Sequence, residues 1–239
     1  MAKMTDSYCY PNATVLKNKR NIRNARDLLM SEIEYTSIAM FSLQKKQIQG
    51  DFDFDHLCEI HKRLFQKLYD WAGKPRTVNI GKGNLFCLVQ NIPSYADSIF
   101  QAYYPQCKSA AGNKERFVDV LTEHYGDLNA LHPFREGNGR TQREFAREVC
   151  FACGYAFDLT HTNHREMLHA SILSFQGNHA SILSFQGNNQ ELKDIFQKAV
   201  QPITDYEKHQ KRLREAIITL SIDDLSDLEE HDYTPGFSI

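Results

Sequence analysis

The chain has no apolar run approaching the ~20 residues that cross a bilayer. Its first twelve residues, MAKMTDSYCYPN, lack the apolar core of a secretory leader. Charge imbalance is small: 28 basic against 30 acidic residues leave a net −2, which gives no general affinity for nucleic acid or for a membrane surface. Cysteine is present but not framed. Cys9, Cys58, Cys87, Cys107, Cys150 and Cys153 are scattered, so reduced thiols in a cytosol are expected rather than a disulfide scaffold. Cys150 and Cys153 have the spacing of a redox or zinc pair, but they lack a second pair and sit in an apolar helical stretch, which favours core packing. What is there is ordinary globular material, with 41% hydrophobic and 24% charged residues, enough for one domain with an appendage or two small ones.

Helical periodicity dominates. Apolar residues recur at Leu28, Leu29, Ile33, Met40 and Leu43 across 21–43, and at Leu57, Ile60, Leu64, Leu68 and Trp71 across 53–71, stopping at Gly73. They recur again at Val118, Leu121, Tyr125, Leu128 and Leu131 across 115–131, a helix that delivers the chain to His132. Shorter helices are expected over 94–104 and 190–200. Only residues 76–92 read as extended: Val78 and Ile80, then Gly81-Lys82-Gly83-Asn84, then Leu85, Cys87 and Val89, which suggests a β-hairpin. The expected fold is mainly α, a compact helical bundle with one small hairpin.

The chemistry concentrates in Leu131-His132-Pro133-Phe134-Arg135-Glu136-Gly137-Asn138-Gly139-Arg140-Thr141-Gln142-Arg143. Two glycines around an asparagine permit positive φ and a concavity of convergent N–H groups. A helix is expected from Thr141, with Phe145 and Val149 on its apolar face, so the turn lies at a helix N-terminus that attracts anions. Arg140 and Arg143, three apart, emerge on one side of that turn and oppose the helix dipole unless an anion lies between them, most simply a polyphosphate. A histidine can accept a hydroxyl proton near neutral pH. A carboxylate beside phosphates suits Mg²⁺, a hard cation that bridges them. Base, metal ligand, phosphate cradle and arginine clamp together describe group transfer from a nucleotide to a hydroxyl.

His-Pro-Phe-x-Glu-Gly-Asn-Gly-Arg-x-x-Arg resembles the complete signature of Fic-domain proteins, with every position filled. Residues 57–73 (LCEIHKRLFQKLYDWAG), Arg76 to Ile80, Phe86 to Ile92 and Asp194-Ile195-Phe196 are also similar to segments of that family, so that roughly residues 10–200 are covered. The resemblance implies a Fic domain over 1–200; past it, the residues over 201–239 read as a charged helix and an acidic tail. The resemblance also implies transfer of AMP from ATP to a Ser, Thr or Tyr hydroxyl of a target protein, with pyrophosphate leaving. His132 would be the base and Glu136 the Mg²⁺ ligand. Gly137, Asn138, Gly139, Arg140 and Arg143 would bind the phosphates, and Pro133 and Phe134 would anchor the loop. The hairpin would be a flap in which Lys82, Gly83, Asn84, Leu85, Phe86, Cys87 and Leu88 present the target. Rival chemistries are transfer of another nucleotide-derived group, γ-phosphate transfer as in Doc toxins, and removal of AMP; a non-catalytic nucleotide-binding regulator is the rival of a different class. The setting implied is a bacterial cytoplasm, with delivery into a host cell as an effector the alternative.

Regulation departs from the family pattern. The inhibitory form [Ser/Thr]-x-x-x-Glu-[Gly/Asn] is matched incompletely by Thr162 to Glu166, followed by Met167, and by Ser226 to Glu230, followed by His231; Ser31 has a tyrosine at position 35. An antitoxin-like partner supplying a glutamate in trans is therefore expected. Other features read as bland. His56 and His61 are five apart, off a zinc-pair spacing, and the cluster Lys17, Lys19, Arg20, Arg23 and Arg26 reads as a solvated face. The segment HASILSFQGN at 169–178 recurs without change at 179–188. Ten residues turn a helix by about 1000°, leaving the copies ~80° apart, so the second copy reads as an inserted duplication without a function.

Overall fold

The computed structural model describes residues 6–82, 84–176, 188–204 and 237–238. In chain order it runs α1 (Ala25–Lys45), α2 (Phe54–Phe65), β1 (Ile80–Lys82), β2 (Asn84–Leu85), a 3-10 turn, then α3 (Ile92–Phe100), α4 (Tyr103–Ala110), α5 (Lys114–Leu131) and α6 (Asn138–Ala152). It closes with β3 (Tyr155–Phe157), α7 (His164–Gln176), α8 (Gln190–Ala199), β4 (Val200–Pro202) and β5 (Phe237–Ser238). The fold is mainly helical, as expected. The helices begin where short polar side chains can take the orphan N–H groups of a first turn: Asn24 accepts from Asp27 N, Asp53 from His56 N at 2.8 Å and Asn113 from Arg116 N at 3.0 Å.

α5 is the central rod. Phe117, Val118, Leu121, Tyr125, Leu128 and Leu131 are all buried, and α3, α4, α6, α7 and α8 pack around it. α6 lies between α2 and α5, with Phe145 inserted among the rings of Phe52, His56, Phe100 and Tyr103. This packing fixes both ends of the short connection that joins α5 to α6.

The second helix ends at Phe65, six residues short of the expected Trp71. The amides of Leu68 and Tyr69 both turn back onto the Phe65 carbonyl, and the Leu68 carbonyl takes the Lys19 amide, which buries Leu68 and Tyr69 in a turn. The hairpin is shorter than expected as well, pairing Gly81 with Leu85 and Lys82 with Asn84. It stops there because the Cys87 amide leaves the ladder to bond the Ala130 carbonyl of α5 at 3.0 Å. The other edge of β1 is taken by β5, with Ile80 opposite Ser238. The pairing of β3 with β4, which carries the domain just past residue 200, was not expected from the sequence.

The first copy of the duplication lies mostly in α7; the second, apart from Asn188, is outside the described residues, as is the expected charged helix and acidic tail apart from β5. Cys150 is fully buried and Cys153 partly so, as core packing requires. Among the described residues no helix is long and apolar enough to cross a membrane. Phe145→Ala should lower the unfolding free energy by about 3–5 kcal/mol, read as a reduced urea midpoint, because it opens a cavity among four rings.

Candidate active site

α5 ends at His132, which adopts φ 43° and ψ 59° while its amide still bonds the Leu128 carbonyl. A left-handed non-glycine residue is uncommon and is held only where its surroundings over-determine it. His132 Nδ1 lies 3.2 Å from the Asn129 carbonyl oxygen, so Nδ1–H donates there, which in the neutral ring puts the lone pair on Nε2. Asn129 is itself fixed, its amide donating to the Ser171 carbonyl at 2.7 Å and the Ser174 hydroxyl at 3.1 Å on α7.

The loop then turns back through buried Pro133 and Phe134 into α6, which starts at Asn138, three residues before the expected Thr141. Of the two glycines, only Gly137 has a positive φ, +80°. A Cβ there would also lie 2.2 Å from Phe65 Cζ, so the loop needs glycine for two separate reasons. Gly139 is helical; a Cβ on it would approach Arg143 Nη1 at 3.2 Å. Asn138 was expected among the phosphate-binding groups, but its side chain turns inward. Its carbonyl accepts from Phe134 N and its amide donates to Phe134 O, both at 2.8 Å, because the tight turn otherwise leaves those two buried groups unsatisfied. What α6 offers an anion is therefore backbone, the N–H groups of its first turn, which have no acceptor within the helix.

Glu136 stands just before α6, and Arg140 and Arg143 stand on its first two turns. Glu136 Oε1 accepts from Gly137 N at 2.8 Å and lies 3.6 Å from Arg140 Nη2. Arg140 spreads over the Phe65 ring, and its Nη2 donates to Glu32 Oε2 at 2.5 Å. Glu32 is buried on α1 and also accepts from the Tyr69 hydroxyl. Burial pushes its carboxyl up, against the lowering influence of Arg140. Arg143 meets the Tyr125 hydroxyl, whose pKa burial pushes up to about 12. Among the described residues no cluster of three or more His, Cys, Asp or Glu forms a metal cage. A single partly exposed carboxylate, that of Glu136, next to an anion-attracting helix end still fits Mg²⁺, which takes most of its shell from phosphate and water.

His61, which the sequence suggested was an unremarkable histidine, holds this loop from below. Its Nδ1 accepts from Gly73 N at 2.8 Å, so Nε2–H donates to the Glu136 carbonyl at 3.0 Å. The ring stacks on Phe134 at 3.9 Å. Burial pushes its pKa down to about 3, and the nearby Arg140 charge adds to the effect. His56 is also buried, bonded to Glu148 Oε2 at 2.7 Å between α2 and α6.

The flap residues divide. Leu85 is 45% exposed, while Phe86 is buried and stacks on the His132 ring at 3.7 Å between centroids and on Phe175 at 4.5 Å. Phe86, expected within the flap that presents a target, lays its ring on that of His132, where it has an aromatic surface to cover. Cys87 is bonded through its backbone, Asn84 and Leu88 are partly exposed, and Gly83 lies outside the described residues, as does the Lys82 side chain. Glu166, a possible internal inhibitor, is exposed and accepts from the Asn163 amide at 3.3 Å at the start of α7, a capping role. Glu230 lies outside the described residues.

Residues 51–150 match the family model described as Fic/DOC family. A probable protein adenylyltransferase of Sinorhizobium fredii is 35% identical over 176 residues, covering 72% of the chain and 90% of that relative. The chain belongs to the Fic family. The protein adenylyltransferase VbhT of Bartonella schoenbuchensis is 40% identical over 174 residues, 72% of the chain but 36% of that relative, so the chain spans about a third of VbhT's length. Among solved structures, the N-terminal Fic domain of a VirB-translocated Bep effector of Bartonella quintana with bound ADP superposes with a TM-score of 0.74 at 28% identity, over 82% of the chain and 94% of that domain. BepC of Bartonella tribocorum with bound AMPPNP reaches 0.73 at 23% identity, over 82% of the chain and 96% of that structure, and shares the Fic fold.

Because the folded state holds His61 neutral with a pKa near 3, while the unfolded chain binds its proton near 6.5, stability should fall as pH drops through that interval. The slope from this one group approaches about 1.4 kcal/mol per pH unit. Urea unfolding of the wild type and of His61→Gln across pH 7 to 4 measures it, since the difference between them should shrink as pH falls.

Proposed function

We propose that the chain is a protein adenylyltransferase that moves AMP from ATP onto a Ser, Thr or Tyr hydroxyl of a target protein. The observation that supports this best is that His132 and Glu136, in the connection after α5, stand beside Arg140 and Arg143 on the first two turns of α6, at its anion-attracting end. The Sinorhizobium and Bartonella relatives carry adenylyltransferase names, and the Bartonella quintana neighbour was solved with a nucleotide.

In this reading the triphosphate lies against the first-turn N–H groups of α6. The Nε2 lone pair of His132 takes the proton of the target hydroxyl as its oxygen attacks the α-phosphorus. The new oxygen–phosphorus bond forms as the bond to the bridging oxygen breaks, and pyrophosphate leaves with that electron pair. Arg140 and Arg143 neutralise the charge that grows on the leaving group, the electrostatic contribution that dominates such transfers. Mg²⁺, held by Glu136, would supply further charge neutralisation at the phosphates. Glu32 and Tyr69 keep Arg140 aimed before ATP arrives. Pro133 and Phe134, seated on His61, keep the base from drifting. A target segment adding to the flap either displaces β5 from β1 or pairs along β2.

We place inhibition in trans, by a small partner offering a glutamate to Arg143, since Glu166 is engaged as a cap on α7. For location we propose a bacterial cytoplasm, with export to a host cell the second reading because several similar structures are VirB-translocated effectors.

Incubation with α- and γ-labelled ATP in bacterial and eukaryotic lysates tests the reaction; transfer of the α label alone is expected, and transfer of the γ label would make the enzyme a kinase. His132→Ala should retain ATP affinity within about threefold while losing transfer by at least about a hundredfold, because general-base catalysis is worth that much. Glu136→Ala should weaken the Mg²⁺ dependence of ATP binding, and an unchanged Mg²⁺ titration would remove Glu136 from the metal site.

A further inference from the structure

Arg76 is 2% exposed and ranks among the largest fully buried side chains of the molecule. It lies outside the signature, ahead of the hairpin. Its guanidinium donates to three backbone carbonyls: Nε to His132 at 2.9 Å, Nη1 to Val78 at 2.9 Å and Nη2 to Cys87 at 2.5 Å. Its own amide donates to the Pro133 carbonyl at 2.8 Å. One residue thus grips two successive carbonyls of the signature loop and one carbonyl on each side of the hairpin.

A buried cation is costly, and an apolar side chain of similar volume would fill the same space at less expense. No carboxylate among the described residues offsets this one. Burial pushes the Arg76 pKa down to about 10, with the Arg135 charge acting in the same direction, so the group stays protonated at neutral pH. The planar fork is the property that an apolar substitute lacks, since it bonds carbonyls from three directions at once. The Cys87 amide on Ala130 and the Phe86 ring on His132 close the same circuit from the flap side.

We infer that Arg76 is a positioning residue whose guanidinium locks the flap hairpin and the left-handed backbone of His132 into one unit, so that the base and a hydroxyl delivered at the flap stand in a fixed relation. The delivery half rests on the adenylyl-transfer reading; the locking half does not. A displacement of about 1 Å between reacting groups costs on the order of a hundredfold in rate. The phosphate-facing groups of α6 take no bond from Arg76, so nucleotide affinity and transfer should separate.

The test compares wild type with Arg76→Lys, which keeps the charge but not the fork, and Arg76→Ala with added methylguanidinium. Hydrogen exchange should quicken by about tenfold or more at Phe86, Cys87 and His132 together, while Phe145 and Val149 in α6 keep their protection. Transfer of labelled AMP to lysate proteins, counted per molecule that binds an ATP analogue, should fall by about a hundredfold in both variants. Methylguanidinium, but not methylammonium, should restore part of it to Arg76→Ala. A general folding defect would instead lower analogue-binding stoichiometry and labelling in proportion. Unchanged exchange at Phe86, Cys87 and His132 in Arg76→Lys, or wild-type transfer per bound nucleotide, would overturn the inference. A wild-type chain that labels no protein would sink the adenylyl-transfer reading, and the exchange measurement would then decide the locking role by itself.

Discussion

The turn between α5 and α6 is closed by the side chain of Asn138, which meets both the amide and the carbonyl of Phe134 at 2.8 Å. Only residues 132–137 separate two helices that are each buried on several sides, so the connection cannot relax by shifting either one. Inside that constraint the chain reverses through a left-handed His132 and a left-handed Gly137, with Phe65 pressed beneath the second. The turn is therefore held by the protein's own contacts, which is the condition for electrostatic groups to act without reorganising.

Around this turn lies a set of supports that touch it through backbone atoms. His61 holds the Glu136 carbonyl, Arg76 holds those of His132 and Pro133, and Gln142 holds that of Leu128 at 2.9 Å. Each relieves an acceptor that a helix end or a tight turn leaves over. The same bonds set directions: those of His61 and Arg76 come from α2 and from the flap, so two separate parts of the chain converge on the six residues of the turn. Glu32 differs in kind, because it reaches a side chain, Arg140, and aims a cation.

These supports explain what could be read from the residues and what could not. The signature, the helical character and the existence of a hairpin were legible, since they depend on residue types at fixed spacings. The supports were not. A bond to a backbone carbonyl leaves no mark on the identity of the residue that accepts it, so neither His61 nor Arg76 had a visible partner, although both lay in segments already similar to the family. The direction in which the Phe86 and Asn138 side chains face was not legible for a related reason: a side chain's type does not say which way it faces when a turn or a neighbouring ring has an unmet need.

The sequence by itself determined which side chains the site brings together, because His132, Glu136, Arg140 and Arg143 fall within the first two turns of one helix and the loop before it, where local geometry suffices. It also determined that α5 would hand the chain directly to His132. Only the tertiary structure decided which carboxylate aims Arg140, which ring lies under Gly137 and what ties the flap to the histidine. Those contacts join residues far apart in the chain, 56 positions for Arg76 and His132 and 108 for Glu32 and Arg140, and which side chains meet at such distances is set by how the helices pack around α5.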